Sequence, residues 1–234
     1  VTASLDGAAK IWSSPTGECL QTLNAHEDSP SLKSAAFSAD GSLVVTISAD
    51  NTAKLWSSST GECMQTLSGH KNELSAAVFS ADGSLVVTAS DDHTAKIWSS
   101  STGECLQTLT GHQHSVFSAV FSVDGSSVVT ASLDGAAKIW SSPTGECLQT
   151  LTGHENDVLS AIFSADGSSV VTASLDGTAK IWSISSGECL QTLTGHEDEV
   201  YSAAFSADGS LVLTASYSTV KIWSSSTGEC LQTL

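Results

Sequence analysis

The chain has 234 residues and a formal net charge of −17, set by 25 acidic residues against eight lysines and no arginine. That balance excludes a phosphate-binding groove, because nucleic-acid affinity rests on Lys and Arg neutralising phosphates, and it repels anionic membrane surfaces. Hydrophobic residues make up 40% of the chain, enough for a core, yet no apolar run approaches transmembrane length.

The first β-run is Val1-Thr2-Ala3-Ser4, a fragment of a pattern that then recurs. From Gly17 the chain writes Gly-Glu-Cys-Leu-Gln-Thr-Leu, and near-copies begin at Gly61, Gly103, Gly145, Gly187 and Gly228, with Met64 as the one internal change. The steps are 44, 42, 42, 42 and 41 residues, and Trp12, Trp56, Trp98, Trp140, Trp182 and Trp223 keep the same beat. Self-similarity at one fixed period predicts a single quasi-symmetric domain of stacked units over residues 1–234. The repeats run approximately over 1–23 (partial), 24–67, 68–109, 110–151, 152–193 and 194–234.

Within a repeat, Asp157–Phe163 is a short apolar run closed by Ser164-Ala165-Asp166-Gly167. Next comes the β-branched run Ser168–Ser174, then the turn Leu175-Asp176-Gly177 and the run Thr178–Trp182. A loop carrying Ser185-Ser186-Gly187 introduces Cys189–Leu193. Four β-runs with turn chemistry between them predict an antiparallel meander and leave no segment for a helix. Such a sheet cannot bury both faces alone, and repeated radially it becomes a propeller blade. On Gly-His before the first run (Gly69-His70, Gly111-His112, Gly153-His154, Gly195-His196), Phe-Ser-x-Asp-Gly after it and Ser-x-Asp ahead of Lys-Ile-Trp, the chain resembles the WD40 family. The resemblance covers essentially the whole chain and implies an all-β propeller of about six four-stranded blades. One departure is uniform: each Trp is followed by Ser, never the Asp that helps name the family.

Each full repeat carries a His, a Ser and an Asp at fixed spacing, which could be taken for Ser-His-Asp catalysis. The resemblance implies instead a structural tetrad in which Asp holds His, His holds Ser and Ser meets the indole N–H. Residue matching gives His26/Ser48/Asp50/Trp56, His70/Ser90/Asp92/Trp98, His112/Ser132/Asp134/Trp140 and His154/Ser174/Asp176/Trp182. Four such sets in one chain suit a scaffold, and a closed set of buried polar groups satisfies itself. The chain is therefore expected not to be an enzyme. In the last repeat Ser216-Tyr217-Ser218-Thr219-Val220 is one residue short and has no Asp, so His196 is expected to lack its acceptor. No cofactor or metal is expected: His112 of the His112-Gln113-His114 pair already belongs to a tetrad, and the 18 glycines form turns rather than a phosphate loop.

Strands b, c and d occur six times but strand a only five, so the first blade lacks its inner strand and the chain reads as a segment of a longer array. Cys19, Cys63, Cys105, Cys147, Cys189 and Cys230 occupy one slot per repeat. Equivalent positions of neighbouring blades should lie beyond the roughly 7 Å that a disulfide spans between Cα atoms, which predicts packed, reduced thiols and a cytoplasmic setting.

The departures among the copies concentrate after each His and before each tetrad Asp, positions that in a WD40 propeller lie on the top face around the central channel. The first pair of positions reads Ser31 and Lys33, Glu73 and Ser75, Ser115 and Phe117, Asp157 and Leu159, then Glu199 and Tyr201; the position before Asp reads Leu5, Ala49, Asp91, Leu133, Leu175 and Tyr217. Phe117, Leu133, Leu159, Leu175, Tyr201 and Tyr217 fall in three successive blades, with Glu73, Asp91, Asp157 and Glu199 beside or among them. An apolar, aromatic patch with an acidic border predicts a non-catalytic scaffold that binds a protein or peptide with basic residues and an apolar anchor. The competing readings are a sensor or spacer array of a larger signalling protein, and a designed or recently amplified repeat without a specific ligand.

Overall fold

The computed structural model describes residues 1–4, 6–24 and 32–234, and no helix occurs among them. Every β-run bounded by glycine or Asp-Gly turns becomes a strand, because β-branched residues fit the pleat and the turns return the chain antiparallel. Two compact units result, Val1–Thr110 and Gly111–Leu234.

The first unit holds a three-stranded sheet, β1 to β3 (Thr2–Ala3, Ala8–Trp12, Cys19–Asn24), and two four-stranded meanders. These are β4 to β7 (Leu32–Phe37, Leu43–Ser48, Ala53–Ser57, Cys63–Leu67) and β8 to β11 (Leu74–Phe79, Leu85–Ser90, Thr94–Ser99, Cys105–Thr110). The second unit holds three meanders. They are β12 to β15 (Val116–Phe121, Ser127–Ser132, Ala136–Ser141, Cys147–Thr152), β16 to β19 (Val158–Phe163, Ser169–Ser174, Ala179–Ser183, Cys189–Leu193) and β20 to β23 (Val200–Phe205, Leu211–Ser216, Val220–Ser224, Cys230–Thr233). All pairings are antiparallel between consecutive strands, the order of a WD40 propeller blade, and the first sheet has three strands.

Burial changes across each blade. In β17 five consecutive residues, Val170 to Ser174, are buried, so both faces of this second strand are covered, and the two hydroxyls among them, Thr172 and Ser174, are hydrogen-bonded. The fourth strand is the opposite: in β19 only Leu193 is buried. Cores form where one blade's b, c and d strands meet the next blade. In the second unit Val171, Ala173, Ala179, Ile181 and Leu193 pack on Val200, Ala203, Val212 and Trp223. Another layer sets Val129, Ala131, Ala137, Ile139 and Leu151 against Val158, Phe163, Val170 and Trp182. The first unit repeats this with Val45, Ile47, Leu55 and Leu67 against Leu74, Val86 and Trp98. Trp98, Trp182 and Trp223 thus each seal a neighbour's face, a burial worth about 1.5–3 kcal/mol or more for so large a side chain.

The invariant Gly-Glu-Cys-Leu-Gln-Thr-Leu phrase also links blades. Gln191 Nε2 donates to the carbonyl of Ser226 in the next blade at 2.9 Å, as Gln21 does to Ser59 and Gln65 to Ser101 in the first unit. Gly187 has φ of +72°, and a Cβ there would stand 2.8 Å from Gln149 Oε1, so both backbone and neighbour demand glycine.

The cysteines depart from expectation. All six are free, but they are exposed on the outermost strands rather than packed, with each Sγ donating to the carbonyl of the Gln two residues on, as Cys189 does to Gln191 at 3.3 Å. The register shift between Ile181 and Trp182 leaves Leu190 unpaired, which breaks the alternation that runs back from Leu193 and leaves Cys189 exposed at the blade's edge. No helix of the described residues is long and apolar enough to cross a membrane.

The serine after each tryptophan has a local role. Ser183 N–H donates to Glu188 O and its carbonyl accepts from Gly187 N–H, both at 2.9 Å, while its hydroxyl accepts from Ser186 N–H at 3.4 Å. The same hydroxyl contact recurs at Ser13, Ser57, Ser99, Ser141 and Ser224. Asp and Ser are interchangeable as side-chain acceptors in such turns, which is why Trp-Ser can stand where the family has Trp-Asp. Urea unfolding should therefore show Ser183→Ala losing about 0.5–1 kcal/mol while Ser183→Asp stays at the parent value. Equal losses in both variants would remove the acceptor role.

Candidate functional site

In three repeats His, Asp and Trp are joined through one hydroxyl, and that hydroxyl belongs to threonine. In β16 to β19, His154 Nδ1–H donates to Asp176 Oδ2 at 2.7 Å, Thr172 Oγ1 donates to His154 Nε2 at 2.7 Å, and Trp182 Nε1–H donates to Thr172 Oγ1 at 2.8 Å. Thr88 does the same between His70 and Trp98, and Thr130 between His112 and Trp140. Trp56 meets Thr46 at 2.9 Å, and His26 lies outside the described residues, as do Leu5 and Ser31.

The family resemblance, matched residue by residue, implies Ser48, Ser90, Ser132 and Ser174 in this role, and the geometry corrects it. Trp182 pairs with Val170, so its indole leans one step along β17 to Thr172. Ser174 is two residues further, about 7 Å along the strand. There it serves the turn instead, donating to Asn156 O at 3.2 Å and accepting from Asp176 N–H at 3.0 Å. Ser90 and Ser132 make the corresponding bonds to Asn72 O and His114 O. Asp50 and Ser48 share the local turn, with Asp50 N–H reaching Ser48 Oγ at 3.4 Å.

A neutral imidazole with its proton on Nδ1 satisfies all three bonds, since the Trp182 indole only donates and an ionised Asp176 only accepts. Burial disfavours the charged ring, and against the pull of Asp92, Asp134 and Asp176 it holds His70, His112 and His154 below the usual histidine value. Burial alone would raise the Asp176 carboxyl, but hydrogen bonds from Thr178, Glu155 N–H and His154 together lower it to about 2, and Asp92 is held at about 2 in the same way. Asp134 is lowered too, by Gln113 N–H, His112 and Ala136 N–H against its burial. The three histidine side chains are 1% exposed with both ring nitrogens engaged, leaving no open acid–base pair for substrate. No group of three or more His, Cys, Asp or Glu that could hold a metal forms among the described residues.

The last blade also differs from expectation. His196 does not lack an acceptor: its Nδ1 reaches Thr219 Oγ1 at 3.0 Å and its Nε2 Thr214 Oγ1 at 2.6 Å, with Trp223 on the same Thr214. Deleting one turn residue draws toward the ring the threonine that elsewhere stands behind the aspartate, as Thr178 does. What is missing is the carboxylate that in other blades also accepts a main-chain N–H, such as Glu155 on Asp176.

At the same end of each blade lie the variable positions. Lys33, Ser75, Phe117, Leu159 and Tyr201 are each the unpaired residue of a β-bulge: Val200 pairs with Ser216 and Ser202 with Ala215, and Tyr201 is left between them. A bulge re-aims its side chain, which releases these positions from strand alternation. The residue two before the bulge is tied to the residue before the tetrad Asp: Asp91 N–H donates to Glu73 O, Leu133 to Ser115 O and Leu175 to Asp157 O, at 2.9–3.0 Å.

The two units use these positions differently. In the first, Glu73 is ion-paired with Lys33 and Asp91 accepts from Ser75 Oγ at 3.3 Å, so both carboxylates are engaged locally. In the second, Leu175, Tyr201, Tyr217 and Glu199 line one groove of about 500 Å3, together with Asp176, Gly177, Glu197 and Asp198. Tyr217 is 87% exposed, and Tyr201 donates to Glu199 Oε2 at 2.6 Å. Phe117, Leu133, Leu159 and Asp157 occupy equivalent places on the two preceding blades but do not line the groove; Phe117 is exposed and the others half-buried. Glu197 and Asp198 were not singled out by sequence, although the copies differ there too (Lys71-Asn72, Gln113-His114, Glu155-Asn156).

Comparison with protein-family models matches the WD domain, G-beta repeat, five times, at residues 17–57, 61–99, 103–141, 145–183 and 187–224. No curated protein matches the chain.

Two outcomes follow from the relay. A histidine whose folded value is depressed contributes stability that is complete above its unfolded value near 6.5 and lost as pH falls below it; the depressed aspartates add a second loss below about 3.8. Urea midpoints in moderate salt should thus be flat above pH 7, fall below pH 6.5 and fall more steeply below pH 4, with the first slope reduced in His154→Gln. Replacing Ser218 by Asp-Gly should raise the melting temperature, because it returns a carboxylate acceptor worth on the order of 1–3 kcal/mol to a half-buried histidine. An unchanged melt would show that Thr219 already suffices.

Proposed function

Because the chain belongs to the WD40 family, whose repeats generally mediate protein–protein interaction, we propose that the second unit carries a recognition surface for a protein or peptide with basic residues and an apolar anchor. The observation that carries this reading is the groove of about 500 Å3 in which Leu175, Tyr201 and Tyr217 stand beside Glu197, Asp198 and Glu199. Tyrosines are favoured interface anchors because they offer large, rigid area with a polar tip. Three consecutive carboxylates on a chain of net charge −17 attract cations and speed their encounter. Phe117, Leu133, Leu159 and Asp157 extend the surface along the unit for a longer segment, while Glu73 and Asp91 are left to the first unit's own contacts. The function is non-catalytic: the buried His–Asp pairs hold the platform rigid, and the bulge residues read the partner.

Selection from a random peptide display library should enrich sequences with Lys or Arg flanking an apolar residue. Tyr217→Ala, at a residue too exposed to matter for folding, should weaken the selected peptide at least tenfold. Glu199→Gln should mainly slow association and flatten its salt dependence. Failure to enrich any sequence, or binding indifferent to Tyr217→Ala, would sink the proposal.

A further inference from the structure

A second cavity lies at the opposite end of the second unit's blades, among the a–b and c–d turns. It has a volume of about 330 Å3 and lies between the blade β12 to β15 and the blade β16 to β19. Two of its walls are departures from the repeat. Val123 stands where the other copies have Ala39, Ala81, Ala165 and Ala207, and Ile184 stands where they have Ser14, Ser58, Ser100, Ser142 and Ser225. Both replacements are small-or-polar to apolar, they lie 61 positions apart in sequence, and they converge on one cavity with Phe163. Val123 remains 66% exposed, so its methyl groups are not explained by core packing.

The next cleft in the same unit serves as an internal comparison. Between the blade β16 to β19 and the blade β20 to β23 the equivalent cavity is about 210 Å3, and Ser225 replaces the isoleucine, its hydroxyl closing onto Gly209 O at 2.7 Å. Ile184 cannot make that bond; only its backbone N–H keeps the link, to Ser168 O at 3.1 Å. The cleft is therefore larger where both departures occur, and its mouth carries Val123 and Ile184 where the narrower one has Ala165 and Ser225 at the equivalent positions.

Serines, Ala165, Gly167 and two carboxylates complete the lining. Asp124 and Asp166 line the cavity, each held by its turn: Ser122 Oγ donates to Asp124 Oδ1 and Ser164 Oγ to Asp166 Oδ1, both at 2.6 Å. Those donors hold both carboxyls below the usual carboxylate range, so both are ionised at neutral pH, and neither has an ion pair among the described residues. Apolar walls beside fixed, unneutralised carboxylates match a cation on an aliphatic stem.

From this combination we infer that the cavity lined by Val123, Ile184, Phe163, Asp124 and Asp166 is a second binding site, taking the lysine or arginine side chain of a partner segment. The stem lies on Val123 and Ile184 and the charged head reaches Asp124 and Asp166. The site is independent of the tyrosine groove and of its proposed role.

The test uses n-butylguanidinium as the probe and methyl-detected NMR of the full chain, with guanidinium and n-butanol as separate controls at matched ionic strength. Butylguanidinium should shift the Val123 and Ile184 methyl signals saturably, in the millimolar range open to so small a ligand, while Ile181, which lines the narrower cleft, moves little. The double variant Val123→Ala/Ile184→Ser restores the residues that the other copies fold with, so it should keep its melting temperature and lose at least tenfold in affinity. Absence of saturable shifts at Val123 and Ile184, or equal binding by the double variant, would overturn the site. Equal shifts from guanidinium alone would overturn the role of the apolar walls.

Discussion

One hydroxyl per blade holds the polar interior together. Thr172 Oγ1 takes the Trp182 indole proton and gives its own to His154, whose second nitrogen then passes a proton to Asp176. Remove the hydroxyl and two buried nitrogens are left without partners at once, a cost of about 1–3 kcal/mol each. The same atom fixes three separate pieces of chain: the strand that carries it, the tryptophan that seals the neighbouring blade, and the loop that enters the blade at Gly153-His154. Gly153 is itself pinned by this arrangement, since a Cβ there would sit 3.3 Å from the Trp182 ring. Packing between blades and the shape of the loop end are thus two readings of a single hydrogen-bonded unit.

Much of this was legible in the sequence, for physical reasons that also explain what was not. A fixed period with Trp and Asp-Gly turns specifies meanders because each unit needs a neighbour to bury its face, so strand count and order followed. The relay hydroxyl did not follow, because Thr172 and Ser174 point to the same face of one strand and spacing alone cannot choose between them. Register chooses: Trp182 opposite Val170 reaches one and not the other. Spacing between blades separates the cysteines from one another but does not specify burial, and Cys189 lies on an edge strand that buries little besides Leu193. His196 was expected to be short of an acceptor because a missing aspartate was visible, and a threonine drawn inward by the shortened turn was not.

The bulges were hidden too, yet they explain why the variable positions can vary. A residue in register is committed to one face and one set of neighbours, whereas Tyr201 sits between two paired positions and carries no ladder obligation of its own. Its counterparts Lys33, Ser75, Phe117 and Leu159 range from cation to aromatic while the strands around them hardly change. The first unit turns these positions inward on each other, as in the pair of Lys33 and Glu73, and the second leaves Tyr201 and Tyr217 toward solvent. Recognition chemistry can therefore differ from blade to blade without disturbing the relay that holds each blade.

The same separation operates at the opposite end of the blades. There the a–b turn is secured by its own serine and aspartate, as Ser122 and Asp124 show, and the c–d turn by the serine after tryptophan, so the residues between them are not needed to close either turn. Val123 occupies such a position, and Ile184 gives up the hydroxyl bond that Ser225 makes but keeps the backbone link to Ser168 O. A methyl-bearing side chain at an exposed turn gains little from folding, because its surface stays largely in water at 66% exposure. Ile184 is half-buried against the core, so the apolar area left in water is mainly that of Val123; it is recovered only when something covers it, and the neighbouring ionised carboxylates restrict that something to a cation. Departures that keep each blade's backbone links, as Val123 and Ile184 do, are the places where a repeat fold can support the proposed recognition.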